Sequence, residues 1–162
     1  MLQVTPPVKR LPSLVDTRRL FTMLFDPETV CSPRKAALQP DECAIIAVYR
    51  DNEGAIRRLL VCDLGFSNSA GAALSAIPAA AANKATLAGR LADNVLDNLS
   101  EVMNVAVNLF IESFGARLEL GLVARLTDHT PETLAALKSD QRVKIDVAIP
   151  RYERGRVDLI AV

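Results

Sequence analysis

From Leu87 to Phe114 the chain carries a run whose apolar and polar residues separate cleanly at helical spacing. At about 100° per residue, Leu91, Val95, Leu99, Val102, Met103, Ala106, Leu109 and Phe110 gather on one broad face. Asp93, Asp97, Glu101, Asn104, Asn108 and Glu112 follow one another by four, four, three, four and four, and form a single opposite stripe. The pattern predicts one long helix with a buried side, and Gly115 is its stop. The rest of the chain must supply the surface that buries that side.

The remaining segments read mostly as strands. Ala44–Tyr49 is a compact apolar run, Arg50–Gly54 a turn and Ala55–Leu64 a second run, which together predict a hairpin. Arg117–Leu126 alternates Leu118, Leu120 and Leu122 with partly polar neighbours. Val143, Ile145, Val147 and Ile149 alternate with Lys144 and Asp146, and Arg156–Val162 follows a turn at Tyr152–Gly155. Helices are expected over Leu14–Phe25 and Ala70–Ile77, the second capped by the polar side chains of Gly65–Ser69 and ended by Pro78. The alanine-rich stretch from Pro78 to Gly89 connects two helices or begins the second. Thr130 caps a short helix running to Lys138. Asp26 and Pro27 read as a helix start, residues from there to Pro40 as irregular, and residues 1–13, with three prolines, as an arm. The expected architecture is α+β: a mostly antiparallel sheet with two long helices packed on one face, preceded by an N-terminal arm and short helix over residues 1–40.

With 162 residues, half of them hydrophobic, the chain is long enough for one well-buried domain. Lys plus Arg and Asp plus Glu each count 19 and the basic residues are scattered, so no nucleic-acid surface is predicted. Cys31, Cys43 and Cys62 contain no C-x-x-C pair and leave one over in any pairing, which points to a reduced interior. No apolar run approaches the ~20 residues of a membrane span, and the first residues lack a signal-peptide pattern. A soluble, cytoplasmic protein is the expectation.

Familiar catalytic devices are missing from the sequence. Gly65-Phe66-Ser67-Asn68-Ser69 lacks the last glycine of G-x-S-x-G. The seven glycines form no phosphate loop, and no metal-ligand cluster is visible. His129, the only histidine, reads as a solvated turn residue beside Asp128. That leaves the stripe. Ordinary exposed helices mix acids with Lys or Arg at i,i+4, yet from Leu91 to Phe114 there is no basic residue at all. One reading is a merely solvated face, with Asp93 and Asp97 favourably near the positive end of the helix. The other is a working surface. An acid and an amide three residues apart project from one side of a helix, and an amide can donate to a phosphoryl oxygen while accepting from a water.

Asp97-x-x-x-Glu101-x-x-Asn104 on a long helix resembles the D/S-x3-E-x2-N signature of the CheC/CheX family of chemotaxis phosphatases, whose relatives include flagellar-switch proteins. The order of hairpin, polar turn with short helix, motif helix and strands is also similar, and the likeness spans roughly Cys43–Val162. It implies a single-motif, CheX-like α+β domain over residues 41–162 that acts on a phosphorylated, CheY-like response-regulator receiver domain. The implied reaction is aspartyl-phosphate hydrolysis in two-component signalling. By this resemblance Glu101 docks on the regulator's lysine and Asn104 orients the attacking water. Asp97, Asn108 and Asp93 would form the partner-binding face. The protein would have no cofactor of its own, Mg²⁺ coming with the receiver, and two chains would pair through their sheets as a homodimer.

Two departures stand against the family pattern. The proline expected downstream of the asparagine is replaced by Arg125-Leu126-Thr127, with Pro131 arriving later, and the glycine-rich strand before the first helix is absent. They keep open the alternative of a non-catalytic, CheC-like binding or adaptor module in chemotaxis, flagellar or two-component signalling.

Overall fold

A computed structural model describes residues 10–162. The reading of residues 1–9 as part of an arm lies outside the described residues. Ser13 caps helix α1, Leu14–Leu24, its hydroxyl accepting from the Asp16 amide at 3.0 Å. Asp26 does not start a second helix. Its carboxylate accepts from the Glu28 amide at 2.8 Å and its carbonyl from the amide and hydroxyl of Thr29, which closes a turn and releases an extended segment. That segment, Val30–Pro33, is strand β1, where the sequence reads as irregular. It pairs antiparallel with a strand more than a hundred residues later, a partner no local pattern reveals. Phe21 and Cys31 sit in the main core, so α1 and β1 pack together with the later α+β elements.

The hairpin forms as expected from β2, Ile45–Arg50, and β3, Ile56–Cys62. Asp51 organises the turn: its carboxylate accepts from the amides of Glu53 and Ala55 and from Arg57 Nε at 2.7 Å, and Gly54 takes φ +80°. Helix α2 spans Leu64–Leu74, beginning six residues before the expected start. Asp63 is its cap, accepting from the Phe66 amide at 2.8 Å. Ser67, Asn68 and Ser69, read as capping residues, instead lie buried inside the helix. Ser67 Oγ donates one turn back to Asp63 O, whereas the other two find tertiary partners: Ser69 donates to Glu153 O, and Asn68 to Arg90 O and Thr86 Oγ1. Pro78 precedes a separate helix α3, Ala79–Leu87.

Helix α4, Asp93–Phe114, is the single long helix, twice the length of α2. Gly115 ends it at φ +78°, its amide reaching Ile111 O at 2.9 Å. Strand β4, Glu119–Arg125, leads through a 3₁₀ turn at Leu126–Asp128 to α5, Pro131–Ala136, where Thr130 caps the Thr133 amide. Strands β5, Arg142–Ala148, and β6, Gly155–Ala161, complete one six-stranded antiparallel sheet in the order β1-β5-β6-β3-β2-β4.

The sheet has two covered faces. Ile45, Ala47, Tyr49, Leu60, Cys62, Val157 and Leu159 pack under α1, α2 and α4. The alternating set Ile46, Val48, Leu59, Val61 and Ile160 is buried beneath Leu38, Leu137 and the segments that carry them. Burial on both faces explains why β2, β3 and β6 read as nearly continuous apolar runs. His129 is part of this second layer. It is buried, not solvated, with Nε2 at 2.9 Å from Ile46 O and 3.0 Å from Ala124 O, so it ties α5's leading loop to β2 and β4. With two carbonyls facing it, Nε2 carries the proton.

Candidate functional site

The core side of α4 is as the sequence predicts: Leu99, Val102, Met103, Ala106, Leu109 and Phe110 are buried, with Leu91 and Val95 half-buried at the N-terminal end. Their burial decides where the opposite stripe points. Asp93, Asp97, Glu101, Asn104, Asn108 and Glu112 are all exposed, along a helix of 22 residues and so about 33 Å long. The structure brings all five predicted site residues onto one surface. Among the described residues the carboxylates of Asp93, Asp97, Glu101 and Glu112 enter no ion pair. Asn108 Nδ2 turns back to Val105 O at 3.1 Å, whereas the Asn104 side-chain amide makes no hydrogen bond among the described residues. Glu101 and Asn104 therefore stand side by side, about 5–6 Å apart at Cβ, with their polar atoms uncommitted.

Three contacts set the position and rotation of this helix. Tyr49, wholly buried on β2, donates its hydroxyl to Met103 O at 2.7 Å and stacks on Phe110 with ring centroids 4.7 Å apart. Met103 O belongs to the peptide that ends in the Asn104 nitrogen. Burial pushes the Tyr49 phenol well above its ordinary pKa, keeping it a proton donor. On the flank Asn98 Nδ2 donates to Gly71 O at 2.9 Å. The same glycine lets α2 and α4 touch: a Cβ there would lie 2.5 Å from Val95 O. Sequence reasoning missed Tyr49, because an aromatic residue in an apolar strand carries no local sign of a polar bond across the core.

The other candidates stay apart from the stripe. Cys62 is buried with Sγ 3.2 Å from Ser67 Oγ, and burial raises the thiols of Cys31 and Cys43 to about 11, so all three remain protonated. Among the described residues no three His, Cys, Asp or Glu side chains cluster to hold a metal ion. No helix there is long and apolar enough to cross a membrane.

No protein-family model and no curated protein matches the chain by sequence. Solved structures match its three-dimensional form. One is the crystal structure of the CheX–CheY–BeF3–Mg²⁺ complex from Borrelia burgdorferi, at a TM-score of 0.55 and 10% identity over 91% of this chain and 94% of that one. Another is FliY of Thermotoga maritima, at 0.53 and 12% over 98% and 92%. This is the CheX/FliY fold. The likeness covers nearly the full length of each chain. The expected α+β class holds, with one difference: a single long helix, α4, joined by shorter α1, α2 and α3, stands where two long ones were expected.

Proposed function

We propose that this protein is a phosphatase of phosphorylated receiver domains, acting through the exposed face of α4. The observation that carries the reading is the pairing of an unpartnered acid, Glu101, with an unpartnered amide, Asn104, on the outward side of a helix in a CheX/FliY fold. Both side chains are open to a second protein. One relative by fold was crystallised together with CheY, which supports a receiver of that type as the partner.

In the proposed reaction Glu101 takes the receiver's lysine and fixes the approach of the two proteins. The carbonyl of Asn104 accepts from a water while its N–H groups face the phosphoryl oxygens, which holds the water in line with the bond to be broken. The water oxygen bonds to phosphorus, the receiver's aspartate leaves as carboxylate, and inorganic phosphate is released. Asp97 supports the docking face, with Asp93 and Asn108 at its edges. Mg²⁺ belongs to the receiver's site, where it neutralises charge on the phosphoryl group, and none of the residues of α4 needs to ligate it. The reaction takes place in the cytoplasm. The chain works as a homodimer, and the outer strand β4, which pairs along one side only among the described residues, offers main-chain groups for such sheet-to-sheet pairing.

The test is phosphate release from a phosphorylated receiver, wild type against Asn104→Ala, with receiver binding measured alongside. The variant should bind normally and hydrolyse at least about tenfold more slowly. Equal rates would end the catalytic assignment. A second reading, the non-catalytic docking module, is favoured by one observation: Leu126 stands where the family's proline is expected, opening the 3₁₀ turn after β4. Receiver binding by the wild type with no acceleration of hydrolysis would establish it.

A further inference from the structure

The sheet's second face, turned away from α4, is covered by the segments that carry Leu38 and Leu137, and both line a cleft of about 790 Å³. Leu38 stands on one wall, and Leu126, Leu134 and Leu137 on the other. Leu134 is 38% exposed and adds open apolar surface to the cleft. The volume and the apolar lining fall in the range of small-ligand sites, about 300–1,000 Å³ with a few polar groups.

The walls are held by a buried device. Asp158 on β6 is fully buried, and its carboxylate bonds Arg34, Arg142 Nη1 at 2.9 Å and the Leu38 amide at 2.9 Å. Arg34 and Leu38 belong to one wall. Arg142 reaches across to the other, donating to Leu137 O and Ser139 O. One carboxylate thus ties both walls to the sheet at a fixed separation. Burying a charge this way is costly and adds little net stability, which is consistent with a site whose shape matters. At the cleft's margin Lys138 and Lys144 form no ion pair among the described residues, and Asp140 is the one acid there.

We propose that this cleft binds a free, long-chain aliphatic carboxylate, with its chain against Leu38, Leu126, Leu134 and Leu137 and its carboxylate at Lys138 and Lys144. The margin's excess of cations favours an anionic head over a neutral one and disfavours a second copy of the same face. The site is independent of the α4 reading, and both faces can be occupied together.

The probe is decanoate, titrated into the full chain below its micellar range and followed by calorimetry and amide chemical shifts, with 1-decanol as the neutral comparison. Saturable one-to-one binding is expected, with shifts confined to residues 126–144 and the 37–40 segment. Leu134→Asp should weaken it at least about tenfold by placing a charge in the apolar channel. The double variant Lys138→Glu, Lys144→Glu should weaken decanoate about tenfold and leave decanol nearly unchanged. No saturation, shifts elsewhere, or indifference to Leu134→Asp overturns the site. Equal affinity for acid and alcohol overturns the carboxylate assignment. A dimer that dissociates on Leu134→Asp shows instead that a second copy fills the cleft.

Discussion

The hydroxyl of Tyr49 donates to the carbonyl of Met103, so strand β2 holds the peptide next to Asn104. Met103 O lies on the core side of α4 while Asn104 lies on the solvent side, and fixing one sets the rotation of the other. Tyr49→Phe keeps the ring against Phe110 and removes only this bond. The loss should be about 0.5–1.5 kcal/mol in urea denaturation. If the proposed phosphatase activity is present, turnover should fall more than receiver affinity, because exposure of the stripe is kept while its aim loosens. An unchanged turnover would show that packing alone orients the helix.

Asp158 is the point where burial makes charge expensive. Asp158→Ala would leave Arg142, 9% exposed at its side chain, without a carboxylate, and Arg34, 12% exposed, with only the longer contact to Asp146. Destabilisation of roughly 3–5 kcal/mol is expected in chemical denaturation. Asp146 pairs with the same Arg34 at 3.7 Å, but its side chain is 25% exposed. Asp146→Ala should therefore cost no more than about 1 kcal/mol. Comparable losses from the two variants would contradict this account of the second face.

Gly71 tests the close approach of α2 to the site helix. A methyl group there meets Val95 O at 2.5 Å and Val95 Cγ1 at 2.7 Å. Backbone cannot give way cheaply, so Gly71→Ala should cost roughly 1–3 kcal/mol despite alanine's higher helix propensity. It should also disturb the amide resonances of Val95 and Asn98. A stabilised variant would mean that the helices slide apart without penalty.

Alkaline pH should weaken the fold through its thiols. Burial raises Cys31 from 9.0 to about 11, so between these values the unfolded chain gives up this proton and the native one keeps it. The native state then binds more protons, and stability falls as pH rises from about 9, levelling once the folded group titrates near 11. Cys31→Ala, compared with wild type across this window, should show a flatter decline. Parallel curves would indicate that the thiol is solvated in the native state.

The amphipathic run around α4 was legible in the sequence because both of its faces are purely local statements. Apolar residues at helical spacing need only a core, and the acids opposite them only water, so Glu101 and Asn104 could be placed outside before any neighbour was known. The hairpin was legible too, since Asp51 and Gly54 build their turn from adjacent residues. Strand β1 was not, because its partner β5 is supplied by the far end of the chain and four residues carry no periodicity of their own. The start of α2 was misread for a related reason: Asn68 and Ser69 look like turn residues until Thr86, Arg90 and Glu153 are in place to accept their hydrogen bonds. His129 became a core residue when the carbonyls of Ile46 and Ala124 closed around it. Sequence alone settled which residues face water along α4. Tertiary structure decided what holds them there, because a hydrogen bond across a core depends on two groups meeting and no spacing within either segment encodes that meeting.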